Sequence, residues 1–167
     1  MQFTYCPDCG GKLTAKRIGD EGDIPYCEVC RRPWFPYSTP AVICAVHDGN
    51  GRIALIEQSY GEKRFVCVAG FVKAGESLET CVMREIAEEI GQEAVQIRFV
   101  RSYFYEKRDQ LMLGFAVQVQ RSAFRLSGEV RHAEWFTPAQ ALERLQNAKI
   151  ARQLVTDALD AGYISET

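Results

Sequence analysis

The stretch from Leu78 to Ile90 constrains this chain most, because its apolar and acidic residues each follow helical periodicity on different sides. In an α-helix each residue turns about 100° and rises about 1.5 Å. Glu85, Glu88 and Glu89 then project into a sector about 100° wide within roughly 6 Å of axial length. Leu78, Val82, Met83, Ile86 and Ile90 cluster on another sector, roughly 130° away by the same rotation. One side faces a core and another carries three carboxylates. Gly91 follows, where helices favour a left-handed residue. Like charges at i,i+4 destabilise a helix. A hard cation such as Mg²⁺ or Mn²⁺ would turn that repulsion into coordination. The three glutamates alone read better as a solvated acidic face.

The surrounding spacing changes that reading. From Gly70 to Gly91 the chain matches Gly-x5-Glu-x7-Arg-Glu-apolar-x-Glu-Glu-x-Gly at Gly70, Glu76, Arg84, Glu85, Glu88, Glu89 and Gly91. Residues each present at about one in 15 would align this way by chance on the order of once per million such chains. The stretch resembles the Nudix box. The resemblance implies an α/β fold, a Nudix α/β/α sandwich with a mixed sheet that binds divalent Mg²⁺ or Mn²⁺. It casts Glu85, Glu88 and Glu89 as metal-binding and base-orienting carboxylates, and the carbonyl of Ala69 as a further ligand. Glu76 and Arg84 are implied to pair, holding the loop against the helix. One departure is Gln92, where the family has an aliphatic residue.

A second signal precedes this domain. Cys6-x2-Cys9 and Cys27-x2-Cys30 are spaced as a zinc site is, each pair in a short turn where two thiolates can converge on one tetrahedral ion. A coreless segment needs such a staple, and structural zinc contributes on the order of 10 kcal/mol. Two disulfides or redox-active pairs are the alternative. Four sulfur ligands leave no open position, so the site is read as structural. Cys44, Cys67 and Cys81 fall in apolar segments and read as small buried hydrophobes.

Residues 32–40 hold Pro33, Pro36 and Pro40 and read as an extended connector. This divides the chain into a zinc ribbon over 1–37 and a hydrolase domain over 38–167. Strands are expected at Ala41–His47, Arg52–Glu57, Phe65–Ala69, Val95–Tyr105, Leu111–Gln120 and Ala133–Phe136. The first two are joined through Asp48-Gly49-Asn50-Gly51, a turn signal. Thr137-Pro138 opens a helix near Ala139–Leu145, and a last one covers Ile150–Leu159.

A formal net charge of −2, with no long basic run, shows no nucleic-acid footprint. A small nucleotide-like substrate is the better partner. No apolar stretch approaches the roughly 18 residues needed to span a bilayer. The N-terminus lacks the apolar core of a signal peptide, which points to the cytoplasm. A homodimer is left open.

Beyond the box, the chain resembles most the NADH pyrophosphatase branch, which also carries a four-cysteine ribbon before its Nudix fold. The resemblance makes Glu129 a loop glutamate completing the metal site, with an ordinary surface residue as the alternative. It places Ala151, in the segment Ile150-Ala151-Arg152-Gln153-Leu154, against substrate. That branch has Ser-Gln-Pro-Trp-Pro-Phe-Pro where this chain reads Ser102-Tyr103-Phe104-Tyr105-Glu106-Lys107-Arg108-Asp109-Gln110. A recognition element has been replaced. On a strand, Tyr103 and Tyr105 face one way and Phe104 the other. Phe104 is expected in the core, a tyrosine on the open face could stack a base, and Lys107 or Arg108 could meet a phosphate.

The expected chemistry is metal-assisted hydrolysis of a diphosphate linkage, in a dinucleotide such as NADH or NAD or an ADP-ribose-like compound. Ions on Glu85, Glu88, Glu89 and Glu129 would activate water while a glutamate accepts its proton. Two rivals are a non-catalytic nucleotide-sensing module, which would be expected to lose box glutamates, and a hydrolase of nucleotide-capped RNA ends.

Overall fold

The computed structural model describes residues 3–165. The outer ends of both expected modules, residues 1–2 and 166–167, lie outside the described residues. The chain forms two compact units, Met1–Thr39 and Pro40–Thr167.

The first unit is a small antiparallel sheet of β1 (Thr14–Arg17), β2 (Asp23–Cys27) and β3 (Arg32–Pro33), in that order. Arg32 and Pro33, expected in an extended connector, pair instead with Cys27 and Tyr26. Proline is tolerated there because β3 is an edge strand that does not need every backbone donor. The first cysteine turn closes through the Cys6 N–H on the Gly11 carbonyl and the Gly10 N–H on the Cys6 carbonyl, each at 2.8 Å. Gly10 has φ 73°, a conformation that costs glycine little. Phe3 packs on Trp34 and Tyr37 at 5.5 Å between ring centroids, which adds to the small apolar packing around buried Ile24.

The second unit is built on a sheet with strand order β10-β5-β4-β9-β8, comprising β4 (Thr39–His47), β5 (Ile53–Gln58), β8 (Glu93–Tyr105), β9 (Gln110–Gln120) and β10 (Val130–Phe136). Two short strands flank this path, β6 (Phe65–Val66) beside β5 and β7 (Val68–Phe71) beside β4. The single strand expected at Phe65–Ala69 is thus two. At buried Cys67 the chain leaves one partner strand and joins the other. Helices α1 (Leu78–Ile90), α2 (Pro138–Arg144) and α3 (Lys149–Asp160) complete the unit.

Both faces of this sheet are covered, which explains why β4 is apolar at almost every position. Ala41, Ile43 and Ala45 join Leu154, Val155 and Ala158 of α3 in one core. Val42, Cys44 and Val46 join Val82, Ile86 and Ile90 of α1 in the other. This is the α/β/α sandwich. Cys44, Cys67 and Cys81 are buried free thiols, as their apolar surroundings imply.

Helix α1 begins and ends where its residues dictate. Ser77 caps its N-terminus by accepting the Thr80 N–H at 3.2 Å, and Gly91 ends it at φ 64°. Met83, assigned above to the apolar sector, is 46% exposed. The buried arc is shifted instead toward Glu85 and Glu89, which lie inside the fold. The reason is β7, whose backbone, rather than a further layer of apolar side chains, meets this side of the helix.

Candidate active site

Gly70 makes that arrangement possible. A Cβ built at Gly70 would run into the carboxylate of Glu85, so only a residue without a side chain lets β7 and α1 approach so closely. Glu85 is 9% exposed and Glu89 only 5%. Burial raises the carboxyl of Glu85 above its ordinary range. Glu89 is pushed up to about 8, first by burial and then by the charges of Glu85 and Glu129, with a backbone contact to Ala69 opposing. The Oε2 atom of Glu89 is buried with no hydrogen-bond partner among the described residues. Glu88 is more open, and its Oε2 accepts from Arg84 Nη1 at 3.2 Å.

Arg84 ties this helix to the preceding loop. Its Nε donates to Glu76 Oε1 at 2.7 Å and its Nη2 to Glu76 Oε2 at 2.9 Å, a bidentate fork. Nη2 also reaches the Phe71 carbonyl at 3.1 Å, and Nη1 donates to Glu85 Oε1 at 2.5 Å. Glu76 in turn accepts the Lys73 N–H at 3.0 Å. The Arg84 guanidinium and that N–H hold the Glu76 carboxyl down to about 2. One arginine therefore fixes both the loop and the orientation of Glu85.

Glu129 sits in the turn before β10, with its carbonyl accepting the Ser59 N–H at 2.8 Å. Its charge acts on Glu89 and on Tyr60. Tyr60 is a site neighbour that sequence reasoning missed. Burial, then the charges of Glu129 and Glu89, raise its phenol, and the charge of Arg108 opposes them. Ser59-Tyr60-Gly61 follows β5, and no local sequence signal marked it. Arg108, on an exposed turn between β8 and β9, thus lies within electrostatic reach of Tyr60.

The tyrosines of β8 are placed differently. Tyr103 and Tyr105 pack against the core on the α3 side, and the Tyr103 hydroxyl donates to Asp157 Oδ2 at 2.8 Å. Phe104, expected in the core, is 54% exposed. The alternation was read correctly but the faces were reversed, because α3 covers the tyrosine side. Ala151 lies within the core at 4% exposure rather than at an open surface.

The sulfur atoms of Cys6, Cys9, Cys27 and Cys30 all lie within 4.8 Å of one another, and all four cysteines are free thiols. Cys6 and Cys30 Sγ are 3.8 Å apart, and Cys9 and Cys27 Sγ 3.5 Å. A tetrahedral ion with metal–sulfur bonds of about 2.3 Å separates its sulfurs by about 3.8 Å, so the set fits one. With no ion, Cys9 beside it and burial push the Cys30 thiol up to about 12.

Comparison with known proteins follows the same lines. The NUDIX domain family model matches residues 37–158. The NAD-capped RNA hydrolase NudC of Mycobacterium tuberculosis (strain ATCC 25177 / H37Ra) is 46% identical over 106 residues, covering 62% of this chain and 34% of that protein. The protein of that name from Pseudomonas aeruginosa (strain LESB58) is 31% identical over 153 residues, 90% of this chain and 54% of its own length. The chain thus spans between about a third and just over half of these relatives. Among solved structures, a NUDIX hydrolase from Nitrosomonas europaea superposes with a TM-score of 0.71 at 19% identity, covering 93% of this chain and 88% of that one. The NUDIX domain of Shewanella oneidensis NrtR, complexed with ADP ribose, gives 0.64 at 17% identity over 81% of this chain and 93% of that one.

Proposed function

The chain belongs to the NUDIX domain family, and from that premise we propose that it hydrolyses the diphosphate linkage of a nucleoside diphosphate derivative. The observation that carries this reading is Glu89. A buried carboxylate with an oxygen unpartnered among the described residues, under the charges of Glu85 and Glu129, needs a cation to be ionised. Glu85, Glu88, Glu89 and Glu129, with the Ala69 carbonyl, form an all-oxygen set suited to Mg²⁺ or Mn²⁺. When bound there, such ions neutralise diphosphate oxygens and acidify water.

The chain's own residues supply the rest. Arg84 aims Glu85 and, through Glu76, keeps the preceding loop seated on the helix. A glutamate of the cluster accepts the proton of the attacking water. Arg108 and Tyr60 would meet a phosphate and a ring of the substrate, a reading supported by the charge of Arg108 acting at Tyr60. The products would be two monophosphates, or a monophosphate and pyrophosphate from a triphosphate. The four cysteines would hold zinc as a structural ion, a reading supported by the convergence of their sulfurs.

Steady-state rates on NADH, NAD, ADP-ribose, FAD and a nucleoside triphosphate, with Mg²⁺ and with Mn²⁺, test the reading. Turnover of at least one diphosphate compound is expected, without a marked preference for NADH, because the Pro-rich element is absent. A kcat/KM for NADH more than about tenfold above all others, roughly 1.4 kcal/mol of discrimination, would overturn the specificity. No turnover of any compound would overturn the activity. The names of the relatives favour one second reading, NAD-capped RNA, which contains the same linkage. Its arm of the test is a capped oligonucleotide against free NAD, and the net charge of −2 favours the free nucleotide.

A further inference from the structure

We infer that Gln92 is a positioning residue for Glu129, holding the loop that carries it against the C-terminal end of α1. The inference rests on the reading that Glu129 completes the carboxylate set. Gln92 stands where the box pattern has an aliphatic residue, yet it is 3% exposed. Its amide is used on both sides. Nε2 faces the carbonyls of Ile90 at 3.5 Å, Ser122 at 3.3 Å and Ala123 at 3.4 Å, and Oε1 accepts from Ser122 N–H at 3.0 Å and Oγ at 3.3 Å. An aliphatic side chain could fill the space but make none of these contacts.

The loop they anchor, residues 121–129, runs between β9 and β10 in no regular structure. It also caps the helix. Arg125 N–H donates to the Ile90 carbonyl at 3.1 Å and Ser127 N–H to the Glu89 carbonyl at 3.2 Å, two acceptors that a helix end otherwise leaves open. Phe124 stacks on Trp135 at 5.3 Å. Ser127 then passes the constraint on, because its Oγ accepts the Glu129 N–H at 3.3 Å. Gln92 fixes where this loop enters, and Ser127 fixes where it leaves, two residues before Glu129. The same loop therefore closes the end of the helix that bears Glu89 and delivers the glutamate facing it.

Mn²⁺ binding to the full chain, followed by electron paramagnetic resonance without nucleotide, tests this. Glu129→Ala should weaken Mn²⁺ binding. Gln92→Met, unbranched and of similar length, should weaken it by at least about tenfold, the range for outer-shell partners of a metal ligand. Gln92→Leu supplies the same comparison should the first variant fail to fold by circular dichroism. In the Glu129→Ala background either substitution should cost nothing further. If Glu129→Ala leaves Mn²⁺ binding unchanged, the reading of the metal set fails. If Glu129→Ala weakens binding but Gln92→Met and Gln92→Leu do not, or if their effects add to it, the positioning role is overturned.

Discussion

At the scale of single residues, the carboxylates of α1 are not equivalent, although the sequence presents them as one run. Glu89 is buried with no partner for Oε2 among the described residues, whereas Glu85 is paired with Arg84. Glu89→Gln and Glu85→Gln are each expected to lower turnover by at least about a hundredfold, the loss typical of a preorganised electrostatic contact. Metal-free thermal stability separates them. It should hold or rise for Glu89→Gln and fall for Glu85→Gln, as differential scanning calorimetry in chelator would show. Gly70→Ala should cost both activity and stability, since its new methyl group would displace Glu85. Glu76 sets the acid limit. Its folded pKa of about 2 lies below the ordinary 4.5, so its contribution is present above 4.5 and is lost as pH falls toward 2. Acid unfolding followed by circular dichroism should steepen in that window, and Glu76→Gln should flatten it. The relative directions of Arg84 and the three helix glutamates were legible because fixed spacing on a helix fixes direction, whereas Glu76, in the preceding loop, was read only from the resemblance. Tyr60 was not legible, because its place depends on a loop brought to the site by tertiary packing.

Elements were legible to the extent that their ends carry local chemistry. Leu78–Ile90 was expected with the bounds observed, its end marked by Gly91, and the structure adds Ser77 as the cap at its start. Thr137 likewise begins α2 with a capping box, its side chain accepting Gln140 N–H at 3.3 Å while Gln140 Oε1 accepts Thr137 N–H at 3.0 Å. Ser77→Ala should cost about 1 kcal/mol of stability, measured as a shifted urea midpoint at unchanged slope. Where partners decide, sequence periodicity was insufficient. The division of Phe65–Phe71 into two strands follows from which neighbour is in reach, and nothing local marks Cys67 as the switch. The faces of β8 were inverted for a similar reason. Alternation says which residues share a side, but only α3 says which side is covered.

At the scale of the whole chain, one unit carries the four convergent cysteine sulfurs, and the other carries the glutamates proposed above to hold Mg²⁺ or Mn²⁺. Purified without added zinc, the protein is expected to carry close to one equivalent per chain by elemental analysis. Cys27→Ser should abolish it, and disulfides between the four cysteines would contradict the reading. Among the described residues no helix is long and apolar enough to cross a membrane. The difference in ligand softness has a toxicological consequence. Nitrogen, oxygen and sulfur sites alike hold Zn²⁺ more firmly than Mn²⁺, so under the proposed metal set only geometry and supply, not preference, would keep zinc from the carboxylates. The thiolate cluster would take the first equivalent and the glutamates the excess. A cell flooded with zinc would thus keep this protein folded and poison it at once.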